Sequence, residues 1–496
     1  MPPTTFSGAK LGLGLGLLAY AVLLVIMIGA VPGGSDNSGY FNEARLFSQG
    51  RIHAPMRTLA GVPPGAATQY LYVPFGFKPS PRGGASMVPT YPPGLPLLLV
   101  PAALVAGWDH AGDLILIIHS LAGIALVFAL GRACGLPESW SLAGAAVLAA
   151  SPLYLFTSLQ ALSDVPATAW AAAAVVAAMR GRDGAWWALA SGACISVGFL
   201  VRPTNLLMAV PVALAVGMSP RRLALVALGS LPGVATWMAI NHAAYGNALQ
   251  TGYGAIGAEF HSGLVAGTLR YCAWWLPRLL SPVVVLAPLI LAFPGLWRRV
   301  AAVLAAWAAC LVAFYAPYRW THEQWWFLRF LLPAAPALIV AGLLAARHLL
   351  ERAAGRWPGL ARRLLPALVL AVALGVELDQ TSPLREARAV GHGELKYGRV
   401  SRWLKGHVPA NSAIVVSQAS GALYYFTDYT LLRYDQMGPA VSGEVLASLK
   451  SEGRPLYAVL FPFEVDALSR LPGRWTRVGS VNDVGIWRCD TSRPAG

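Results

Sequence analysis

The sequence predicts an all-α polytopic membrane domain of about eleven spans, followed by a small α/β domain outside the membrane. Three observations carry this. Hydrophobic residues make up 56% of the 496 positions and charged residues only 12%, where a soluble domain carries roughly 25% charged. Apolar runs suited to crossing a bilayer recur along most of the chain, separated by short stretches of Arg, Pro and Gly. From residue 381 onward the pattern changes to short apolar runs alternating with helical stretches.

The first element is an apolar run at 11–31, too long for the core of a signal peptide and without a small-x-small cleavage site, so it is read as a retained first span. A long polar interval, 32–108, follows. It opens with a helical stretch at 36–49, with Ser35 or Asp36 as N-cap and Gly50 as the C-terminal stop. The apolar stretch 94–108 is interrupted by Pro96 and Pro101 and is read as lying on or dipping into the membrane. Further spans are expected near 111–131, 141–157, 165–180, 185–200, 203–218, 223–241, 283–297, 300–316, 330–346 and 364–378. The domain reading is therefore 1–380 for the membrane part and 381–496 for the α/β part. In the latter, 413–417, 456–460 and 484–488 are expected strands, and 399–406 and 445–451 expected helices.

Charge sets the orientation. With the N-terminus and Lys10 in the cytoplasm, the inner loops receive Arg132, Arg180 with Arg182, Arg221 with Arg222, Arg298 with Arg299, and the run from Arg347 to Arg363. That is the bias the positive-inside rule describes. A crossing at 94–108 would invert every later loop. The same placement explains the net charge of +15 as topology, not nucleic-acid binding. The five cysteines have no CxxC spacing, which argues against a zinc site or a disulfide framework.

The outer loops hold the candidate chemistry. Asp36 emerges just after the first span. Asp36, Tyr40, Glu43 and Phe47 share one helix face. A carboxylate at a membrane boundary serves as a general base or simply caps its helix. Asp164 is a second acidic residue between apolar runs, with the same two readings. Lys78, Arg82, Arg202, Arg319 and Arg329 form an outer set of cations, suited to phosphate or to lipid headgroups. His53, His261 and His322 lack metal-ligand spacing. Tyr91 opens a rigid Tyr-Pro-Pro-Gly turn, and Trp325-Trp326 suits an interfacial belt or a carbohydrate platform.

Taken in order, Asp36 with its helix ending SQGRI, then YPPGLPLLL, SPLYLF…LSDVPATAW, GFLVRPTNLL, NHAAYGNALQTGY and WWFLRFLLPAAP resemble the GT-C superfamily of membrane glycosyltransferases. The nearest resemblance is to the family that includes the protein O-mannosyltransferases and the aminoarabinose transferase of lipid A. It spans most of the first 345 residues. Two departures stand out: Asn37 follows Asp36 where the family often has Glu, and Tyr91 stands where His is frequent.

The resemblance implies sugar transfer from a polyprenyl-phosphate donor to a glycan, lipid or protein acceptor. The setting would be the outer face of a bacterial plasma membrane, in cell-envelope glycan biosynthesis. Asp36 would be the catalytic base. Asp164, Arg202, Arg329, Tyr40, Glu43, Tyr91 and Lys78 would bind substrate, with Arg202 and then Arg329 stabilising the leaving phosphate. Asp164 would position the acceptor or Asp36, or help hold a divalent cation, a requirement the resemblance leaves open. A transporter or flippase of lipid-linked sugars is the alternative, but the repeats and mid-span charges it calls for are not seen. A non-catalytic glycan-assembly protein would keep the lipid groove and tolerate loss of Asp36.

Overall fold

The computed structural model describes residues 8–181, 184–254, 256–293, 298–353, 367, 369–371, 375 and 381–490. The chain forms two units. One takes in Met1–Ile28, Asp113–Thr236 and Ala255–Gly391; the other takes in Gly29–Gly112, Trp237–Gly254 and His392–Gly496.

The first unit is helical. Among the described residues of the whole chain, five helices are long and apolar enough to cross a membrane: Gly8–Met27, Ala111–Ala133, Pro220–Tyr245, Arg298–Tyr315 and Trp325–Arg352. Two further pairs bend sharply and raise the number to seven if each is one span: Glu138–Ala150 with Pro152–Ser158, by 61°, and Ser262–Leu279 with Pro282–Ala292, by 117°. Several stretches expected as single spans are thus broken or short. The expected span at 141–157 breaks at Ser151-Pro152, where the Ser151 side chain accepts from the Tyr154 N–H and donates to the Leu279 carbonyl at 2.6 Å. Proline cannot continue the helical hydrogen-bond ladder, so the bend falls there. The stretch 203–218 folds as a 3-10 turn, Pro203–Met208, leading into an eight-residue helix, Ala209–Val216. The expected span at 364–378 falls mostly outside the described residues.

Small residues set one close helix crossing. Gly229 and Gly233 lie one turn apart on Pro220–Tyr245, as do Gly192 and Ser196 on Ala185–Val201. A Cβ on Gly192 would sit 2.1 Å from the Val226 carbonyl oxygen, and one on Gly229 would sit 2.3 Å from that of Leu189. The Gly233 N–H donates to the Ser196 hydroxyl at 2.6 Å. This is the small-xxx-small logic of helix pairs in lipid, where close backbone approach replaces hydrophobic driving force.

The second unit is built on a five-stranded sheet. Its order is Thr430–Arg433, Ala413–Val416, Leu456–Leu460, Val484–Asp490, Arg474–Val481. The first three strands are parallel; the last two join antiparallel. The strands at 430–433 and 474–481 and the helix Ser420–Phe426 are additions to the elements expected from sequence.

Alternation divides each inner strand between two cores. Ile414, Val416, Tyr457 and Val459 pack with Tyr397, Val400 and Leu404 of the helix Thr381–His407. Ala413, Val415, Leu456 and Ala458 pack with Leu59, Val62, Leu71, Tyr72 and Met87. The long segment after the first span is therefore core material for the sheet. It carries its own three-stranded sheet, with Ser86–Pro89 between Ala54–Pro55 and Phe77–Pro79. The helix Gly94–Ala106 has 13 residues, about 20 Å of rise, short of the roughly 30 Å of a hydrocarbon core.

Candidate active site

The helix Ser35–Ser48 begins one residue earlier than expected, with Gly34 at the N-cap and no side-chain cap. Asp36 is thus inside the first turn, and the capping reading fails for it. Capping comes from elsewhere in the second unit: Glu394 accepts the Gly34 N–H at 2.7 Å and the Asn37 side-chain amide at 2.9 Å. A carboxylate there satisfies N–H groups that the first turn leaves unpaired. Burial nevertheless holds the Glu394 carboxyl above its ordinary value, against the lowering effect of those two bonds.

With its helix end held by Glu394, Asp36 is half buried and its carboxylate is met by Tyr91. Burial and the hydrogen-bonded Asp36 carboxylate together push the Tyr91 phenol well above its usual range. Tyr91 is thereby a donor at any ordinary pH, and orients the carboxylate. Its ring lies 5.1 Å from that of Tyr40 and 6.4 Å from that of Tyr253. Gly39 makes room for it: a Cβ there would fall 2.4 Å from the Tyr91 ring. Gly76, with φ of +90°, brings its backbone against Gly39 and needs glycine for that conformation.

Glu43 is two turns further along, 2% exposed. Its Oε2 has no hydrogen-bond partner, and burial drives its carboxyl well above the usual range. It lines a small cavity with Tyr91, Asn241 and Tyr245. The Tyr245 hydroxyl donates to the Pro89 carbonyl. Lys78 donates to the Gly252 carbonyl at 3.1 Å and lies 5.5 Å from the centre of the Tyr245 ring; burial lowers its pKa. Asp36, Tyr40, Glu43, Tyr91 and Lys78 are therefore neighbours in one unit. Sequence reading missed Asn241, Tyr245 and Tyr253, although their segment was noted, and missed Glu394, which has no local signal at all.

The other candidates lie in the first unit. Asp164 is the first residue of its helix, with Ser163 at the N-cap, so the capping reading fails there too. Asp164 is 1% exposed. Its carboxylate pairs with Arg202 at 2.5 Å and with Arg329 at 3.9 Å. Both guanidiniums lie 5.6 Å from the Phe330 ring centre. Arg202 sits in extended backbone where the helix Ala185–Val201 ends before Pro203, which is what lets it turn toward Asp164. Thr204 and Tyr315 share a hydrogen bond at 3.1 Å nearby. Two guanidiniums thus converge on one carboxylate, and guanidinium geometry suits paired hydrogen bonds to an anion.

The remaining candidates do not join these clusters. Arg82 is exposed, and Arg319 pairs weakly with Glu259 at 3.9 Å. Trp325 is buried, donating to Glu386 at 2.9 Å, so it is not an open carbohydrate platform. Among the described residues no three of His, Cys, Asp and Glu come together as a metal-holding group, and no step is assigned to a metal.

No protein-family profile matches the sequence. No curated protein matches it either. Solved structures do. ArnT from Cupriavidus metallidurans bound to undecaprenyl phosphate is 15% identical with a TM-score of 0.63, over 97% of this chain and 98% of that one. The chain has the GT-C fold. The archaeal oligosaccharyltransferase AglB from Archaeoglobus fulgidus, in complex with an inhibitory peptide and a dolichol-phosphate, is 13% identical with a TM-score of 0.52, over 99% of this chain and 75% of that one. The mycobacterial arabinofuranosyltransferase AftD is 14% identical at 0.51, over 96% and 40%. At these identities the GT-C likeness is one of fold.

Proposed function

We propose that this chain is an integral membrane glycosyltransferase that moves a sugar from a polyprenyl-phosphate donor to an acceptor hydroxyl at the outer face of the membrane. The observation that best supports the reading is the Asp36 carboxylate, half buried in the first turn of its helix and oriented by Tyr91. It does so within a chain whose GT-C fold matches the undecaprenyl-phosphate-bound ArnT over nearly the full length of both.

The chemistry is a single inverting displacement. Asp36 takes the proton of the acceptor hydroxyl as general base. The oxygen attacks the anomeric carbon opposite the phosphate. The bond from that carbon to the phosphate oxygen breaks, and the electron pair leaves on the polyprenyl phosphate. Arg202 and then Arg329 are the cations assigned to the phosphate charge as it develops, and Lys78 is assigned to substrate binding. Asp164 fixes the two arginines, and Tyr40 with Tyr91 supplies aromatic contact to the substrate. The orientation follows the arginine pattern: N-terminus in the cytoplasm of a bacterial plasma membrane, residues 381–496 outside.

The test is transfer from a panel of polyprenyl-phosphate sugars in membranes holding the wild-type chain or Asp36→Asn at equal protein level. The expected loss is about 100- to 10,000-fold, the contribution of a positioned general base. The radiolabelled product identifies the acceptor as glycan, lipid or protein. Equal transfer by both proteins would remove Asp36 from the mechanism. Reporter fusions at Lys10 and at the C-terminus test the orientation, and activity of an external-side reporter at the N-terminus would reverse it.

A further inference from the structure

The first unit has a second charged site, away from Asp164. A cavity of about 360 Å³ is lined by Ala133, Met179, Ala215, Arg298, Arg299, Val300 and Val303. It gathers one end of four helices: the C-terminal ends of Ala111–Ala133, Asp164–Arg180 and Ala209–Val216, and the N-terminal end of Arg298–Tyr315. Arg298 and Arg299 line it. Arg132 instead donates to the Leu136 carbonyl, and Arg180 lies over the Trp187 ring. Arg222 donates to the Val216 carbonyl at 3.0 Å, and Arg299 to the Leu214 carbonyl at 3.2 Å. Among the described lining residues there is no carboxylate.

The bland account is that arginines neutralise helix C-termini. It covers only part of the charge. Each C-terminus carries about half a negative charge, and three of them meet the guanidiniums of Arg222, Arg298 and Arg299. The helix N-terminus at Arg298 adds to the positive side. The rest of the lining is apolar. A basic mouth over an apolar wall between membrane helices matches a phosphate headgroup with its acyl chains.

We infer that this cavity binds the phosphate headgroup of an anionic phospholipid, with Arg298 and Arg299 as its principal contacts. The site is on the arginine-rich face, which the charge pattern assigns to the cytoplasm, and it is independent of the sugar-transfer reading. Guanidiniums bind phosphate oxygens in paired hydrogen bonds, and each cation near an anionic lipid surface contributes about fivefold in binding.

Native mass spectrometry of the full chain in detergent, with added phosphatidylglycerol or phosphatidylcholine, tests this. The variants are Arg298→Gln, whose side chain is exposed, the double variant with Arg299→Gln, and Arg278→Gln as a control distant in sequence from the lining. Thermal melts of each show whether it is folded, and Arg298→Gln alone carries the test if the double variant is not. The expected result is preferential retention of phosphatidylglycerol by the wild type and the control. Retention should be about fivefold weaker in the single variant and about 25-fold weaker in the double one. Equal retention in wild type and Arg298→Gln overturns the proposal. Displacement of the lipid by millimolar inorganic phosphate overturns the lipid assignment and leaves a small-anion site.

Discussion

Two residues show how far burial changes a side chain's behaviour. Glu43 and Glu394 both have carboxyls held above their ordinary range by burial. The unfolded chain ionises them near pH 4.5, while the folded chain keeps them protonated to higher pH. Their contribution to stability is therefore full below that pH and is lost as pH rises through the folded values. Glu43→Gln keeps the shape and removes the titration, so its melting temperature should exceed the wild type's increasingly between pH 5 and pH 8. A wild-type-to-variant difference that stays constant across that range would mean that Glu43 ionises normally. Asp164 is buried and pairs with two arginines. Arg202→Gln removes its near partner and leaves Arg329 at 3.9 Å. Loss of one member of a buried pair costs about 3–5 kcal/mol. Arg329→Gln should cost less, and melts showing the reverse order would mean that Arg329 is the stronger partner.

At the scale of elements, glycine decides where helices touch. Gly229→Ala would place a Cβ 2.3 Å from the Leu189 carbonyl, an overpacking worth about 1–3 kcal/mol. Gly14, on the helix Gly8–Met27, has nothing within 4 Å of its would-be Cβ. Gly14→Ala should be neutral or stabilising by about 0.5–1 kcal/mol, the ordinary helix preference. Comparing the two melts separates a crossing effect from helix propensity; equal shifts would place Gly229 outside any tight contact. The same accounting explains Gly39, which is set in the Asp36 helix so that the Tyr91 ring can reach the carboxylate.

For the whole molecule, the division into units matters more than the order of the chain. The segment between Ala54 and Met87 shares one core with Val415, Leu432, Ala458 and Leu460. Arg57 also donates to the Thr427 carbonyl at 2.6 Å, and Asn42 to that of Gly421 at 2.9 Å. Truncation after Gly391 should therefore unfold the 46–87 region and make it the first site of limited proteolysis, while the first unit stays intact. A truncated chain that resists cleavage there would show that the region folds without the sheet.

The sequence by itself determined the class of this protein. Charge depletion and apolar runs are one-dimensional signals, and the parallel strands at 413–416 and 456–460 are continuous apolar runs bounded by turns. The helix face that Asp36 shares with Tyr40 and Glu43 followed from helical period alone, whereas its place inside the first turn came from the structure. What only the tertiary structure decided was partnership. Hydropathy measures apolar content, not straightness, so the 61° bend at Ser151-Pro152 and the 3-10 turn at Pro203–Met208 were hidden inside apparent spans. The Glu394 cap lies 360 positions from Gly34, and Arg202 meets Asp164 across 38. No local pattern encodes such pairs, because the desolvation that makes a buried charge choose its partner exists only once the chain has closed around it.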